Sequence, residues 1–451
     1  MKADPPDRAT EALPWLAGPD DALLLAGADA IARGAFRQRV RALAARLPQA
    51  PFAINLCERR DHFILGFCAA LLRGQVTLLP PSRATAVVDE VAARHPGSYR
   101  LIDTDDGSLD GLRVDDASAA ATQPPTQWPD EAIPAGRLAM IGFTSGSTGE
   151  PAANPKTWGS LRLTNAANMR ALHDMSGAQA ISIVATVPPQ HMYGMEMSVL
   201  LPLLGPFAVH PGRPFFPQDV ANALREVAPP RLLVTTPVHL RALLEAGVEL
   251  PPLAAVVTAT APLPVDMAAL AEARYGCEVR ELFGSTETCV IARRRTATET
   301  AWRLYDDVCL NPQAQGTRVE RPALPMPVWL ADQLELVDGG RGFMLRGRQA
   351  DLLEIAGKRA SLGDLTRRLQ AVPGVHDGVI VQSDVGDAGI RRLAAIIVAD
   401  PELKDSVIIE ALRQAADPVF LPRRIIRLDR LPRNETGKLP KAAVDALLGR
   451  P

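Results

Sequence analysis

Short apolar runs that alternate with helix-like segments constrain the fold of this 451-residue chain more than any other feature. Apolar strands of this length, separated by helices, are typical of parallel sheets that are covered by helices. We therefore predict an α/β fold with a large N-terminal domain of parallel or mixed sheets flanked by helices. The strand-like runs are FAINLC, VTLLP, AISIVATVP, MSVLLPLL, FAVHP, RLLVTTP and AAVVTATAP, and HFILGFCAALLRG is helix-like.

The texture of the chain changes after about residue 335. Charged, glycine-punctuated short elements follow, with two hairpin-like turns, VDGGRG and IAGKRA, and a closing helix-like stretch, KAAVDALLGR. This pattern predicts a small α+β domain. We place the boundary at residues 347–351, which gives an N-terminal domain of residues 1–347 and a C-terminal domain of residues 348–451.

Composition excludes several classes of protein. The net charge is −2, whereas general binders of nucleic acid or anionic membranes carry a net basic surface. The five cysteines are an odd number without CxxC spacing, which indicates a reducing compartment and predicts a cytoplasmic protein. The first residues lack the apolar run of a signal peptide, and no window reaches the length of a membrane span, so we expect a soluble chain.

The stretch FTSGSTG, residues 143–149, is rich in hydroxyls and glycine, a composition that argues against a helix or a buried strand. It follows a predicted strand, RLAMIGF, and open α/β sheets bind ligands at the carboxyl ends of their strands. Backbone N–H groups and hydroxyls suit an anion, although a plain polar turn has the same composition. The GxxxxGK[ST] spacing is absent, which disfavours a kinase-type or GTPase-type phosphate loop.

Four further stretches occur in a fixed order after FTSGSTGEP: PPQHMYG, ELFGSTET, LRGRQADLLEIAGKR and LPRNETGKLPK. Together the five resemble the core motifs of the adenylate-forming superfamily of acyl- and aryl-CoA synthetases, non-ribosomal peptide adenylation domains and luciferases. The resemblance covers about residues 52–445. It implies that the C-terminal domain is a mobile lid, and that ATP and Mg²⁺ activate a carboxylic acid as an acyl-adenylate. The acyl group would then pass to the pantetheine thiol of CoA or of an acyl carrier protein.

The resemblance also implies the site residues. Glu287 would hold Mg²⁺, Asp332 the ribose hydroxyls, and Lys438 would bridge the carboxylate and the α-phosphate, with Thr144 also catalytic. By themselves, Glu287 would be read as a surface carboxylate and Asp332 as a turn acid. The other implied nucleotide-binding residues are Ser145, Gly146, Ser147, Thr148, Gly149, Phe283, Gly284, Thr286 and Arg348.

The acid pocket is implied by the same motifs, with His191 as a gate at its mouth. Its residues are small to medium in size and mostly apolar, which suits an aryl acid such as a hydroxybenzoate, or a short to medium acyl chain. The stretches GEPAANPKTW and GSTETCVIARRR are similar to ligases of aryl-polyene and xanthomonadin-type pathways of secondary metabolism, which load a carrier protein. The remaining pocket residues are Gly194, Met195, Thr260, Ala261 and Cys289.

Departures from the family pattern leave alternatives open. Ala152 and Ala153 replace the Lys-Gly that usually follows Pro151, so either Lys156 reaches the phosphate or that contact is lost. Ala350 stands at the usual charged hinge, and Leu-Ala-Asp replaces Thr-Gly-Asp before the ribose site. Because of these changes, a nucleotide-binding pseudoenzyme is an alternative interpretation.

A Ser/His acyl hydrolase is a further alternative, with Ser145 or Ser147 as nucleophile and His191 as base, although GxSxG is absent. The acceptor is equally open. A basic series flanks the Lys438 motif and suits an acidic carrier protein or the 3′-phosphate of CoA, but a solvated strand edge explains it as well. Its members are Arg423, Arg424, Arg427, Arg430 and Arg433.

Overall fold

The computed structural model divides into two compact units. The first consists of Met1–Glu299, Tyr305–Asp307 and Arg321–Met326, and the second of Thr300–Leu304, Val308–Glu320 and Pro327–Pro451. The structure describes residues 10–104, 110–115, 132–145, 151–177, 180–313, 316–348, 352–355, 358–383, 392–416, 418–434, 437 and 439–449.

The strands of the first unit are numbered β1 to β16. Their bounds are β1 Ala12–Pro14, β2 Leu23–Leu25, β3 Ile31–Ala32, β4 Phe52–Asn55, β5 Val76–Leu79, β6 Ser98–Ile102, β7 Leu112–Arg113, β8 Ala132–Pro134, β9 Leu138–Ser145, β10 Pro151–Thr157, β11 Ile181–Ala185, β12 Phe207–Val209, β13 Arg231–Thr235, β14 Ala255–Thr258, β15 Glu278–Ser285 and β16 Cys289–Arg294.

The helices of the first unit are numbered α1 to α9, and a π-helix covers Glu196–Leu200. Local sequence sets several of their ends: Thr157 caps α4 by accepting from Ser160 N, and Gly177 ends that helix in the left-handed conformation. Their bounds are α1 Arg33–Arg46, α2 Arg60–Leu72, α3 Thr85–Arg94, α4 Trp158–Ser176, α5 Met192–Met195, α6 Leu201–Leu204, α7 Pro217–Glu226, α8 Pro237–Glu245 and α9 Val265–Tyr275.

Two large sheets organise the first unit. One has the order β10-β9-β5-β4-β6-β7, and in the other the strands of this unit follow the order β16-β15-β14-β13-β11-β12-β2-β3. Strands β11, β13, β14 and β15 are mutually parallel along this second sheet. Their carboxyl ends therefore open onto one edge, and the segments that follow them carry the residues of the proposed site.

The second unit contains β17 to β27 and α10 to α12. Its strands pair as β21-β22-β17, β18-β19-β20, β23-β24 and β25-β26-β27. Their bounds are β17 Trp302–Leu304, β18 Cys309–Gln313, β19 Gly316–Glu320, β20 Val328–Leu330, β21 Asp332–Val337, β22 Gly342–Arg348, β23 Leu352–Ile355, β24 Lys358–Ser361, β25 Val375–Ser383, β26 Arg392–Ala399, β27 Arg424–Arg427, α10 Leu362–Gln370, α11 Asp405–Ala415 and α12 Lys441–Leu448.

The predicted α/β class is confirmed, as are the hairpins at VDGGRG (β21 and β22) and IAGKRA (β23 and β24) and the final helix, α12. The domain boundary stays a prediction, and residues 349–351 within it lie outside the described residues. Among the described helices, none is long and apolar enough to cross a membrane.

Two local predictions were wrong. MSVLLPLL is helical, formed by the π-helix and α6, rather than a strand. All eight of its residues are buried, and a helix that is apolar on every side gives no periodic signal. The start of FTSGSTG is also a strand, because β9 runs to Ser145 and Phe143 is buried; residues 146–150 lie between β9 and its antiparallel partner β10.

Candidate active site

The Ser/Thr/Gly stretch begins where β9 ends and pairs with the start of β10. Thr144 lies opposite Ala152, and its Oγ1 is 3.5 Å from Asn154 Nδ2. Because β9 is parallel to β5, Thr144 stands at the carboxyl end of a parallel strand, as predicted. Gly146, Ser147, Thr148 and Gly149 lie outside the described residues, and so does the side chain of Ser145.

ELFGSTET forms the end of the β15–β16 hairpin. The register pairs Ser285 with Cys289, and a bulge separates Phe283 from Gly284. A Cβ built on Gly284 would lie 2.2 Å from Cys289 O, so only glycine fits there. Thr286 and Glu287 occupy the turn, and both are half-buried.

Three of the recognised motifs converge within the first unit. A Cβ on Gly142, just before Phe143, would lie 3.1 Å from Thr286 Cγ2 and 3.7 Å from Met192 Cε. Lys156, from the strand that follows the Ser/Thr/Gly stretch, donates to the backbone oxygen of Glu287 at 2.6 Å. The ends of β9 and β10, helix α5 and the β15–β16 turn therefore border one site.

The predicted acid pocket is built around α5. Gly194 and Met195 are buried, and a Cβ on Gly194 would meet Pro188 O at 2.0 Å. Cys289 Sγ lies 4.0 Å from Met192 Sδ. Met192 of PPQHMYG thus contacts Cys289, the residue that follows ELFGSTET, through polarizable sulfur groups.

The loop after β14 supplies Thr260 and Ala261, both half-buried. Thr260 has φ +82°, a positive backbone angle that residues other than glycine rarely adopt. The loop is held from β15, since the Glu281 carboxylate accepts from Leu263 N at 2.9 Å. The structure therefore places these two residues beside the strand that leads into the Glu287 turn.

His191 lies at the N-cap of α5 and is half-buried. The segments on either side of it are supported by Arg60, a charged residue that the sequence analysis did not identify. The guanidinium of Arg60 is fully buried; it donates to Ala185 O at 2.7 Å, to Val187 O at 3.0 Å and to Ser198 Oγ at 2.5 Å. Burial lowers the pKa of Arg60 to about 9. An arginine at the start of a helix reads as a surface residue, so the sequence gives no signal for this role.

The second unit carries the remaining described candidates. Asp332 and Arg348 are directly opposite each other in the antiparallel pair of β21 and β22. Asp332 is buried, and its backbone oxygen accepts from Thr317 Oγ1 at 2.8 Å. The side chain of Arg348 and the whole of Lys438 lie outside the described residues.

The described side chains that could bind a metal ion are few at this site. Within the described ranges, no group of three or more His, Cys, Asp or Glu side chains is placed to hold a metal ion. Magnesium is usually held by one or two carboxylates together with substrate phosphates and water. The single half-buried carboxylate of Glu287 fits a Mg²⁺ ion that arrives with a triphosphate.

Comparison with known proteins decides the family. A family profile described as AMP-binding enzyme matches residues 62–340, more than half of the chain. The chain belongs to this family. Membership confirms the resemblance predicted from the motifs, and the predicted ATP and Mg²⁺ agree with it.

Relatives and solved structures agree with the assignment. The chain is 33% identical over 233 residues to a 4-coumarate–CoA ligase of Rhodobacter capsulatus, which covers 52% of this chain and 58% of that enzyme. It is 28% identical over 306 residues to a 4-coumarate–CoA ligase of Halorhodospira halophila, covering 66% of this chain and 73% of that enzyme. The match to the first of these relatives thus spans less than two thirds of its length.

The fold matches the solved structure of o-succinylbenzoate coenzyme A synthetase from Bacillus subtilis in complex with ATP and magnesium ion. The TM-score is 0.78 at 18% identity, over 93% of this chain and 95% of that chain. At this identity the likeness shows the fold. It confirms the predicted class of large sheets flanked by helices with a second, smaller α+β part.

Proposed function

We propose that the protein is an AMP-forming acid–thiol ligase. It activates a carboxylic acid with Mg-ATP to an acyl-adenylate and passes the acyl group to a pantetheine thiol. The observation that carries this proposal is that Gly142, two residues before Thr144, lies beside both Met192 and Thr286. Lys156 ties the same strand pair to the backbone of Glu287. Family membership and the CoA-ligase relatives support it.

The proposed ligation consists of two reactions. In the first, a carboxylate oxygen attacks the α-phosphorus of ATP, the bond from that phosphorus to the bridging oxygen breaks, and pyrophosphate leaves. In the second, the thiol attacks the acyl carbonyl, AMP leaves, and the thiol proton passes to solvent.

The residues of this chain hold the reactants and stabilise the charge that is transferred. We assign Thr144 and the stretch 145–149 to the phosphates, Glu287 to the metal and Lys438 to the reacting carboxylate and α-phosphate. Bound Mg²⁺ supplies positive charge that lets a carboxylate approach a triphosphate. Asp332 is assigned to the ribose hydroxyls, since a carboxylate can accept from both.

The acid that we propose is aromatic. The α5 segment presents Met192 and Tyr193, and the facing hairpin presents the Cys289 thiol. The Tyr193 hydroxyl is already used, because it donates to Val257 O at 3.0 Å. The surroundings are thus apolar and polarizable, which suits a flat ring, and the two relatives described above are named for an aryl acid, 4-coumarate.

Exchange of labelled pyrophosphate into ATP tests the proposal. Aryl acids such as hydroxybenzoates and hydroxycinnamates are compared with fatty and amino acids, and CoA is compared with a phosphopantetheinyl carrier protein as acceptor. We expect acid-dependent exchange that is strongest with an aryl acid, followed by AMP release when an acceptor is added. Ester cleavage without exchange would identify a hydrolase instead, and tight ATP binding without exchange a pseudoenzyme.

A further inference from the structure

Three charged side chains from three different segments of the chain form hydrogen bonds with the backbone of residues 287, 288 and 290. Lys156 Nζ donates to Glu287 O at 2.6 Å. Arg321 Nη1 donates to Val290 O at 2.9 Å and to Thr288 O at 3.3 Å. The Glu196 carboxylate accepts from Val290 N, with its oxygens at 3.0 and 3.3 Å.

All three side chains lie in the interior of the first unit. Lys156 is 6% exposed, Glu196 1% and Arg321 6%. Charges are costly to bury unless they are paired or hydrogen-bonded, so a buried charged group at each of these places needs a purpose beyond packing. None of the three belongs to the residues assigned above to the acid, the nucleotide or the metal.

Two of the three charges, those of Glu196 and Arg321, also bind a side chain. Asn168 Nδ2 donates to Glu196 Oε1 at 2.9 Å, and Tyr305 Oη donates to Asn168 Oδ1 at 3.0 Å. Arg321 also donates to Asp307 Oδ2 from Nε and Nη2. With Asp307 included, two cationic and two acidic side chains surround the segment. Burial raises the pKa of Glu196, while its bond from Asn168 favours the charged form.

The segment that they bind is conformationally unusual. Cys289 has φ +61°, a left-handed conformation that costs a non-glycine residue free energy unless its surroundings enforce it. Thr288 adds local bonds, since its N–H donates to Ser285 Oγ at 3.2 Å and its hydroxyl to Cys289 O at 2.8 Å. The charged groups therefore fix a strained turn that carries Thr286 and Glu287.

We propose that Lys156, Glu196 and Arg321 are positioning residues for adenylation, which orient the Glu287 carboxylate through the backbone of residues 287–290. This inference rests on the proposed function. It answers the open question about the displaced lysine: Lys156 acts on the metal-binding turn instead of on a phosphate. Charge-assisted hydrogen bonds suit this role because they are stronger than neutral ones.

Lys156→Met and Glu196→Gln test the proposal, each with similar side-chain volume. The matched control is Arg225→Met at an exposed position of helix α7, which removes a cationic donor to a backbone oxygen, Glu249 O at 2.9 Å. We expect both test variants to raise the Mg²⁺ concentration for half-maximal pyrophosphate exchange by about tenfold or more. Thioester formation from supplied acyl-adenylate should stay within about twofold of wild type, because that step does not use Glu287.

The double variant Lys156→Met with Glu196→Gln should lose less than the product of the two single losses, because it restores charge balance. Three results would overturn the proposal: an unchanged Mg²⁺ midpoint, an equal fall in both half-reactions, or the same shift in Arg225→Met. If the wild type exchanges pyrophosphate, an unchanged Mg²⁺ midpoint contradicts the positioning role and leaves the proposed function standing.

A wild type without exchange on any acid would instead contradict the proposed function. The positioning role would then be judged by amide hydrogen exchange in residues 284–291. Lys156→Met should accelerate exchange there and Arg225→Met should not; equal protection in wild type and Lys156→Met would overturn it.

Discussion

Asp332 and Arg348 face each other across the antiparallel β21–β22 pair, although sixteen positions separate them in the chain. The pairing is produced by the VDGGRG hairpin, whose turn brings the two strand ends together. Asp332 is buried at the start of β21, so its carboxylate is held at a defined place rather than on a mobile turn. This favours the ribose-binding role over that of a turn acid.

Asp332→Ala should raise the KM for ATP by about 10- to 100-fold, since hydrogen bonds to a charged group contribute about 1.5–3 kcal/mol. The effect should be specific to the ribose. Wild type should discriminate against 2′-deoxy-ATP in pyrophosphate exchange, and the variant should use both nucleotides about equally. Glu335→Ala, an exposed change on the same strand, is the control. Retained discrimination in Asp332→Ala would refute the assignment.

Lys438→Ala should separate the two half-reactions. Adenylation should fall by at least about 10²–10³-fold, because the charge that bridges carboxylate and α-phosphate is lost. Thioester formation from supplied acyl-adenylate should be nearly unchanged. Exchange and thioester formation are measured in parallel, with the exposed Lys404→Ala as control. An equal loss in both steps would argue that Lys438 does not have this role.

Gly194→Ala should destabilise the α5 segment. The new Cβ would lie 2.0 Å from Pro188 O, a backbone atom that cannot move without shifting the PPQHMYG loop. We expect a loss of about 1–3 kcal/mol in unfolding free energy, as for other overpacked sites. Gly66→Ala is the matched control, because its nearest neighbour is the end of a flexible side chain, Leu101 Cδ1 at 3.1 Å. Thermal unfolding of both variants provides the measurement; equal stability would show that the loop can yield.

The sequence predicts most strands of the parallel sheets and a site at their carboxyl ends, whereas it does not reveal the buried residues that support the site. RLLVTTP and AAVVTATAP are strands β13 and β14, as their short, β-branched apolar runs predict. The apolar run MSVLLPLL is helical instead, because periodicity does not distinguish a buried strand from a buried helix. Glu196 gave no such signal, since one acid inside an apolar run has no local pattern that reveals its partners. Its contacts with Asn168 and Val290 depend on tertiary packing.

Thiol labelling should distinguish Cys309 from Cys289. Burial raises the pKa of Cys289 to about 12, so its thiol stays protonated at neutral pH. As the pH rises towards 12, the rate of Cys289 labelling should increase about tenfold per pH unit. The rate should stay low at every pH at which the protein is folded. Cys309 is exposed and should label within the first phase, which Cys309→Ser removes. Rapid labelling of Cys289 in the native protein, identified by peptide mapping, would contradict its enclosed position.

The basic series around β27 yields a test of the thiol acceptor. Two of its members are already paired: Arg427 Nη2 lies 2.7 Å from Asp405 Oδ1, and Arg433 Nη2 lies 2.7 Å from Asp377 Oδ1. Arg423 and Arg424 are exposed at the edge of the β25-β26-β27 sheet. An acidic carrier protein or the CoA phosphate would be attracted to them most strongly at low salt.

Arg424→Ala should therefore raise the KM for the acceptor by about 3- to 10-fold at low ionic strength, and less at high salt. Pyrophosphate exchange should be unchanged, because adenylation precedes acceptor binding. Arg413→Ala, on the exposed face of α11, is the control. An effect with carrier protein but not with CoA identifies the carrier as the docking partner, and the reverse identifies CoA. No change with either acceptor would establish β27 as a solvated edge, because removal of its positive charge would then have altered neither encounter.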